Sequence, residues 1–148
     1  MRIIVQRVAK AKVEIEGEIT GKIKSGIMLL VGIAETDNEK IMDWIVNKVV
    51  NLRIFPDENG VMNKSVKETA GGIMVISNFT LYADATKGFR PSYSHAARPE
   101  LAEPIFDKLV AKFKQTGIDI AEGKFGAMMD IELVNSGPVT IIVEKENH

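Results

Sequence analysis

Apolar positions along the chain change period several times, and each change marks an element. Residues 2–8 read as a strand. From Lys12 to Lys24, Val13, Ile15, Ile19 and Ile23 fall on one face and Glu16-Gly17 supplies a turn, which predicts a half-buried hairpin. Ile27 to Ile33 is an almost unbroken apolar run, expected as a more fully buried strand. The period then lengthens. Thr36-Asp37-Asn38-Glu39 fits a capping box, with Glu39 three residues after Thr36. It predicts a helix to about Asn51, with Ile41, Trp44, Ile45, Lys48, Val49 and Leu52 at three-to-four spacing.

Leu52 to Phe55 reads as a short strand stopped by the turn residues Pro56-Asp57-Glu58-Asn59-Gly60. Ile73 to Leu81 is expected as another buried strand, and Lys87 to Pro99 as irregular chain. A second helix is predicted from Pro99 to about Gln115, with Leu101, Ile105, Leu109 and Phe113 on one stripe and Gly117 as the stop. Strands at Ile118–Glu122, Phe125–Val134 and Val139–Glu144 close the chain. Strands cluster in hairpins at both ends, and only the middle leaves room for helical crossovers. That pattern predicts a single α+β domain over residues 1–148, built on a strongly curved, mostly antiparallel sheet or barrel covered by two helices.

Composition narrows the chemistry. The chain has 148 residues, none of them cysteine, so disulfides, thiol nucleophiles and thiolate metal sites are all excluded. The charge inside the first apolar stretch, Met1 to Arg7, does not fit a signal peptide, and no apolar run is long enough to span a bilayer. A cytoplasmic protein with no membrane partner is the expectation. Lys plus Arg number 19 against 20 Asp plus Glu, a net charge of −1. A protein that coats long nucleic acid carries a basic excess; this composition allows a grip on a short piece of nucleic acid in a local pocket.

The usual catalytic motifs are missing: no G-x-S-x-G, no H-E-x-x-H, no P-loop and no G-x-G-x-x-G. Of the two histidines, His148 is terminal and expected to fray. His95, in Ser92-Tyr93-Ser94-His95, suits a polar residue near a helix start, with a Ser–His pair to Ser77 or Ser94 as the sharper alternative. A lone His and scattered carboxylates do not make a metal site. Asp84 and Asp130 have nothing in the sequence to bring them together. An enzyme built from this chain must lean on backbone groups or on its substrate.

Two segments stand out. The apolar strand 73–76 runs directly into Ser77-Asn78-Phe79-Thr80, and polar groups at the end of a buried strand must find hydrogen bonds or line a cleft. Asn135-Ser136-Gly137-Pro138-Val139-Thr140 reads first as a tight hairpin turn between two strands. In the cis form, which is uncommon for X–Pro, Gly137-Pro138 would instead present both flanking carbonyls in one direction, a side-chain-free reading head.

Together these segments resemble the D-aminoacyl-tRNA deacylase family. Ser77-Asn78-Phe79-Thr80-Leu81 is similar to the family's Ser-Gln-Phe-Thr-Leu signature, and Gly137-Pro138-Val139-Thr140 to its Gly-Pro-Val-Thr signature. Further matches include Met1-Arg2, Val5-Gln6-Arg7-Val8, Asn51 to Phe55, Lys87 to Ser92, Pro99 to Ala102, and Phe125-Gly126-Ala127. The resemblance implies a metal- and cofactor-free homodimer that hydrolyses the ester joining a D-amino acid, or mischarged glycine, to the 3′ end of tRNA. It implies catalysis around Ser77, Asn78, Phe79 and Thr80, with backbone N–H groups near Phe79 and Thr80 facing the oxyanion and the 2′-hydroxyl of the terminal adenosine helping to activate water. It assigns substrate contacts to Phe125, Gly126, Ala127, Met129 and Phe89, and phosphate contacts to Lys87 and Arg90. Gly137 and Pro138 would enter the other subunit's site and judge the configuration at Cα, with Arg7 holding the motif. One departure is Asn78 where the family usually has Gln: it is one methylene shorter, about 1.5 Å less reach, which weakens direct substrate contact from this side chain and leaves the neighbouring backbone unaffected. The competing readings are a non-catalytic dimeric binder of aminoacylated ends or nucleic acid, and a Ser–His esterase.

Overall fold

The computed structural model describes residues 1–147; the expectation about His148 lies outside them. Eight strands, two α-helices and one 3₁₀ turn follow in the order β1 (Arg2–Ile15), β2 (Glu18–Ile23), β3 (Gly26–Gly32), α1 (Glu39–Asn51), β4 (Phe55–Pro56), β5 (Met62–Lys64), β6 (Gly72–Ser77), the 3₁₀ turn (Phe79–Tyr82), α2 (Pro99–Lys114), β7 (Ile120–Glu122) and β8 (Asp130–Glu144).

The main sheet runs β2-β1-β3-β6-β7, and β8 pairs with the other side of β1. β1 is antiparallel to β2, β3 and β8, whereas β3–β6 and β6–β7 are parallel. The sheet curls until β2 meets β7, making a nearly closed barrel. Gly21 permits this approach: a Cβ there would stand 2.9 Å from the Glu122 carbonyl oxygen. β4 and β5 form a separate small ribbon.

Two apolar clusters explain the two unbroken runs of the sequence. One face of the sheet packs Ile3, Val5, Ile27, Leu29, Val31, Ile73 and Val75 against the buried sides of α1 and α2. The other face turns Val13, Ile23, Met28, Met74 and Ile76 into the barrel interior. β3 and β6 are therefore buried on both faces and carry no polar alternation.

Several boundaries move for identifiable reasons. The first strand does not stop at residue 8 but continues into the hairpin as one long β1. α1 is capped by Asn38, whose side chain accepts from Ile41 N–H at 3.1 Å, and not by Thr36. Asp37 is drawn inward instead. It takes the Met1 ammonium at 2.6 Å and the Ala34 N–H at 2.8 Å, so the helix begins after it. Trp44 leaves the expected apolar stripe for the rim of α1, where Lys48 and Lys145 each hold an ammonium 5.2 Å from its ring centroid. In α2, Leu101 is exposed and Ala102, Phe106 and Val110 join Ile105, Leu109 and Phe113 in the core. The strand expected to reach Leu81 ends at Ser77, and residues 125–129 are loop leading into β8.

Gly137-Pro138 is not a hairpin turn. β8 passes straight through it, pairing with residues 2–6 of β1 on one side and residues 8–14 on the other. Between Thr140, opposite Gln6, and Asn135, opposite Val8, the four residues Ser136–Val139 stand against Arg7 alone. The surplus forms a bulge, one of the few places in a ladder where a residue lacking N–H is tolerated.

Candidate active site

β6 and β7 are parallel, so their C-terminal ends emerge on the same rim of the barrel. At that rim Ser77 is half-buried, and the Asn78 N–H is spent on the Val31 carbonyl at 2.8 Å. The chain then turns sharply. Asn78 is in an extended conformation and caps the 3₁₀ turn; its Oδ1 accepts the Thr80 N–H at 3.2 Å and also the Thr80 hydroxyl. This is an Asx-type cap, the local bond that short Asn side chains favour. The Phe79 N–H has no acceptor among the described residues. One of the two expected oxyanion donors is therefore free and the other is occupied by the side chain of Asn78.

Phe79 points outward, 58% exposed, and packs edge-on against Tyr93 with ring centroids 5.2 Å apart at 74°. The turn is pinned from below by Arg2, whose role the sequence does not reveal. Arg2 donates to the Leu81 carbonyl at 2.7 Å, pairs with Glu144 at 2.7 Å, and lies 4.7 Å above the Tyr82 ring. Burial, first, and the field of Asp37 push the Tyr82 hydroxyl up to about 12.

The segment 123–129 flanks the same rim, since the Gly123 N–H reaches the Val75 carbonyl at 3.4 Å. Phe125 is half-buried against Phe106, centroids 6.0 Å apart. Met129 lies over Gly123 beside Ile76 and joins the barrel cluster. Gly126 has φ +75°, so it shapes the loop, and Ala127 donates back to the Lys124 carbonyl at 3.1 Å. Phe89 stands apart from all of these on the loop after the 3₁₀ turn.

The bulge is held from two sides. Arg7 Nε donates to the Ser136 carbonyl at 3.2 Å while its Nη1 donates to the Ile54 carbonyl at 2.7 Å, tying the bulge to the chain after α1. The Asn135 side-chain amide donates to the Arg7 carbonyl at 3.0 Å and the Val139 carbonyl at 2.9 Å, closing the neck of the bulge. In the sequence Asn135 is only a neighbour of Gly137; its role is not visible there because it depends on a bulge that a turn reading hides. The Gly137–Pro138 peptide is cis, Gly137 has φ +119°, and both residues are exposed.

Register separates the bulge from the 3₁₀ turn within one protomer. Ser77 aligns with Val31 and Ile3, whereas Arg7, opposite the bulge, aligns with Ile27 and Ile73. Ser77 and Ile73 are four residues apart, about 13 Å along the strand, and β1 and β3 lie between β6 and β8.

The Ser–His alternative finds no pair. His95 has no side-chain hydrogen bond among the described residues, and Ser94 accepts instead from the Ser92 hydroxyl at 3.3 Å. His95 opens onto a cleft of about 570 Å³ shared with Asp84, Glu35 and Thr36, away from Ser77. Asp84 is held below the ordinary carboxylate range by the Thr86 hydroxyl and N–H; it lies on the loop after the 3₁₀ turn, bridged to Ser92, and no hydrogen bond among the described residues joins it to Asp130.

Barrel, capped strand end and clamped bulge thus describe the fold and the two places where its main chain departs from regular pairing. Comparison with known proteins gives that description a family. The family model described as D-Tyr-tRNA(Tyr) deacylase matches residues 4–144. The D-aminoacyl-tRNA deacylase of Brevibacillus brevis is 50% identical over 144 residues, 97% of this chain and 99% of that one. That of Bacteroides fragilis is 49% identical over 148 residues, 99% of each. A solved structure titled c-Myc DNA Unwinding Element Binding Protein superposes with a TM-score of 0.93 at 37% identity, covering 99% of this chain and 100% of the other. A probable eukaryotic D-amino acid tRNA deacylase shares the fold at TM-score 0.84 and 12% identity, covering 96% and 97%. The chain belongs to the D-aminoacyl-tRNA deacylase family, and so to the ester hydrolases. No described helix is long and apolar enough to cross a membrane.

Proposed function

We propose that this protein hydrolyses the ester of D-aminoacyl-tRNA, and of glycine mischarged on tRNA, as a homodimer whose two sites are each shared between protomers. The free Phe79 N–H is the oxyanion donor, an interaction worth about 3–4 kcal/mol in comparable sites. Thr80 orients the ester or the attacking water. The substrate's terminal 2′-hydroxyl assists the water, which suits a site lacking a positioned His–Ser pair. Water attacks the ester carbonyl, the C–O bond to the ribose breaks, and the departing 3′-oxygen takes a proton; the products are free tRNA and free amino acid.

An enzyme that accepts many side chains of one hand cannot discriminate by fitting side chains. Discrimination falls on the groups around Cα, and is strongest when the wrong isomer meets a clash or leaves polar groups unpaired. The observation that carries this reading is the bulge Ser136–Val139, exposed at Gly137 and Pro138, free of long side chains, and clamped by Arg7 and Asn135. The distance between bulge and 3₁₀ turn within a protomer supports delivery of Gly137 and Pro138 from the partner. So does β8, whose second edge has no strand partner among the described residues and which exposes Val134 and Ile142. Glycine has no side chain to be rejected and passes the same filter.

Deacylation of D-Tyr-tRNA and L-Tyr-tRNA by catalytic amounts of enzyme tests the reading. Release of D-tyrosine with survival of the L-ester is expected. Protection of both esters would replace the enzyme by a binder.

A further inference from the structure

The 3₁₀ turn Phe79–Tyr82 carries the free Phe79 N–H on little support of its own. Tyr82 is its one buried side chain. Its main-chain bonds run from Leu81 N–H to the Asn78 carbonyl at 3.3 Å and from Ala83 N–H to the Thr80 carbonyl at 3.0 Å, and bonds of the 3₁₀ type are poorly aligned. The Leu81 carbonyl gains no donor from further along the chain, because the Asp84 N–H that would continue the turn goes to the Ser92 carbonyl at 2.7 Å. Arg2 supplies the missing donor from the sheet beneath. It stands in a row across three strands, between Gly32 on β3 and Glu144 on β8, so the side chains of Arg2 and Glu144 share a face. Gly32 lets the turn come down onto this row: a Cβ there would stand 3.0 Å from the Leu81 Cβ and 3.1 Å from the Tyr82 ring. Glu144 aims the guanidinium. Its Oε1 accepts from Arg2 Nε at 2.9 Å and Nη2 at 2.7 Å, which leaves Nη1 for the Leu81 carbonyl at 2.7 Å. The chain before Arg2 is fixed as well, since the Met1 ammonium donates to Asp37 at 2.6 Å and to the Lys145 carbonyl at 2.7 Å. A planar fork with donors on two edges holds both partners at once; a lysine ammonium, a single point of charge, does not reproduce that geometry.

We propose that Arg2 is a positioning residue for deacylation: through the Leu81 carbonyl it fixes the 3₁₀ turn, and with it the direction in which the Phe79 N–H faces the ester. A donor to a developing oxyanion is effective because its direction is set before the reaction begins. A misplacement of about 1 Å, caused by a change away from the chemistry, costs up to about a hundred-fold in rate. Arg2 lies under the turn, so its removal acts on kcat and not on KM. This inference rests on the deacylase reading for its kinetic consequence, whereas the brace itself is a property of the fold.

Two measurements on the full-length protein test it. The first is steady-state deacylation of D-Tyr-tRNA by variants shown by circular dichroism to be folded at the assay temperature. Arg2→Ala should lower kcat about ten-fold or more with KM changed less than about two-fold, and Arg2→Lys should recover little of the loss. Glu144→Ala frees the fork and should lower kcat less. The double variant should be no worse than Arg2→Ala alone, because both side chains lie on one line of contacts. Arg2, Tyr82 and Ala83 also line the cleft of about 570 Å³ onto which His95 opens. Through it methylguanidinium can reach the vacated place, and it should restore part of kcat in Arg2→Ala where equal methylammonium does not. Wild-type kcat in Arg2→Ala, a change confined to KM, additive losses in the double variant, or equal rescue by both cations overturns the proposal. The second measurement needs no substrate. Amide exchange followed by NMR should speed about ten-fold at Ala83 in Arg2→Ala and stay unchanged at Leu29 in the middle of β3. No change at Ala83, or an equal rise at both amides, contradicts the brace. Failure of wild type to cleave D-Tyr-tRNA would sink the deacylase reading itself, and the exchange measurement would still decide whether Arg2 holds the turn.

Discussion

At the scale of single residues, Asn78 ties its own side chain to the turn it caps. Its short amide folds back onto Thr80 and occupies a backbone donor. In Asn78→Gln the longer side chain loses the Asx geometry, so Thr80 N–H becomes available beside Phe79 N–H. That variant should keep or raise kcat in D-Tyr-tRNA deacylation, and a marked fall would show that the Asn78 cap is needed for the turn. Gly137 is constrained more tightly. With φ +119° and a notional Cβ 2.7 Å from Arg7 Nη2 and 3.0 Å from Val139 Cγ2, Gly137→Ala should cost about 1–3 kcal/mol in stability and erode the preference for D over L esters. Thermal melts and enantiomer-resolved deacylation check the two effects separately. Tyr82 sets an alkaline limit. Its folded pKa, about 12, lies above the ordinary tyrosine value of 10.0, so its contribution to stability is complete below about pH 10 and lost as pH rises towards 12. Tyr82→Phe should show a weaker decline of stability over that window than wild type. Identities such as Phe79, Gly137 and Arg7 are legible in the chain because they carry a family signature. The roles of Arg2 and Asn135 are not, because each acts on a carbonyl far along the chain, 79 residues away for Arg2 and 128 for Asn135.

At the scale of elements, legibility follows hydrophobic period. The runs around β3 and β6 and the stripes of α1 and α2 are readable because burial alone dictates them. What fails is continuity. The sequence divides β1 and β8 each in two, because breaks in pattern such as Ala9-Lys10 and Gly137-Pro138 look like chain reversals locally, whereas in the structure the ladder between the two strands carries them across. The cap of α1 is displaced for a tertiary reason, the capture of Asp37 by the Met1 ammonium. The clamp on β8 makes a test at this scale. Asn135→Ala removes the two hydrogen bonds its amide donates at the neck of the bulge and the one its Oδ1 accepts from the Thr140 hydroxyl, each worth about 1 kcal/mol, and leaves β1–β8 pairing elsewhere intact. The expected result is a modest loss of stability with a larger loss of D-over-L selectivity. Equal selectivity in Asn135→Ala and wild type would mean that the bulge needs no such brace.

At the scale of the molecule, β1 and β3 lie between the bulge and the 3₁₀ turn of one protomer, and the second edge of β8 has no strand partner among the described residues. The dimer proposed above would account for both features. Light scattering over a dilution series should report a stable dimer, and a charge placed on the open strand by Ile142→Glu should yield folded monomers without deacylase activity. The most direct test of shared sites is complementation between two crippled chains. Phe79→Pro removes the free N–H, and Gly137→Ala distorts the bulge. In a purified heterodimer of these variants, sites assembled in trans combine both lesions in one centre and neither in the other. About half of wild-type D-selective activity is then expected, although each parent homodimer is impaired. A heterodimer no better than its parents would contradict the exchange of main chain between subunits.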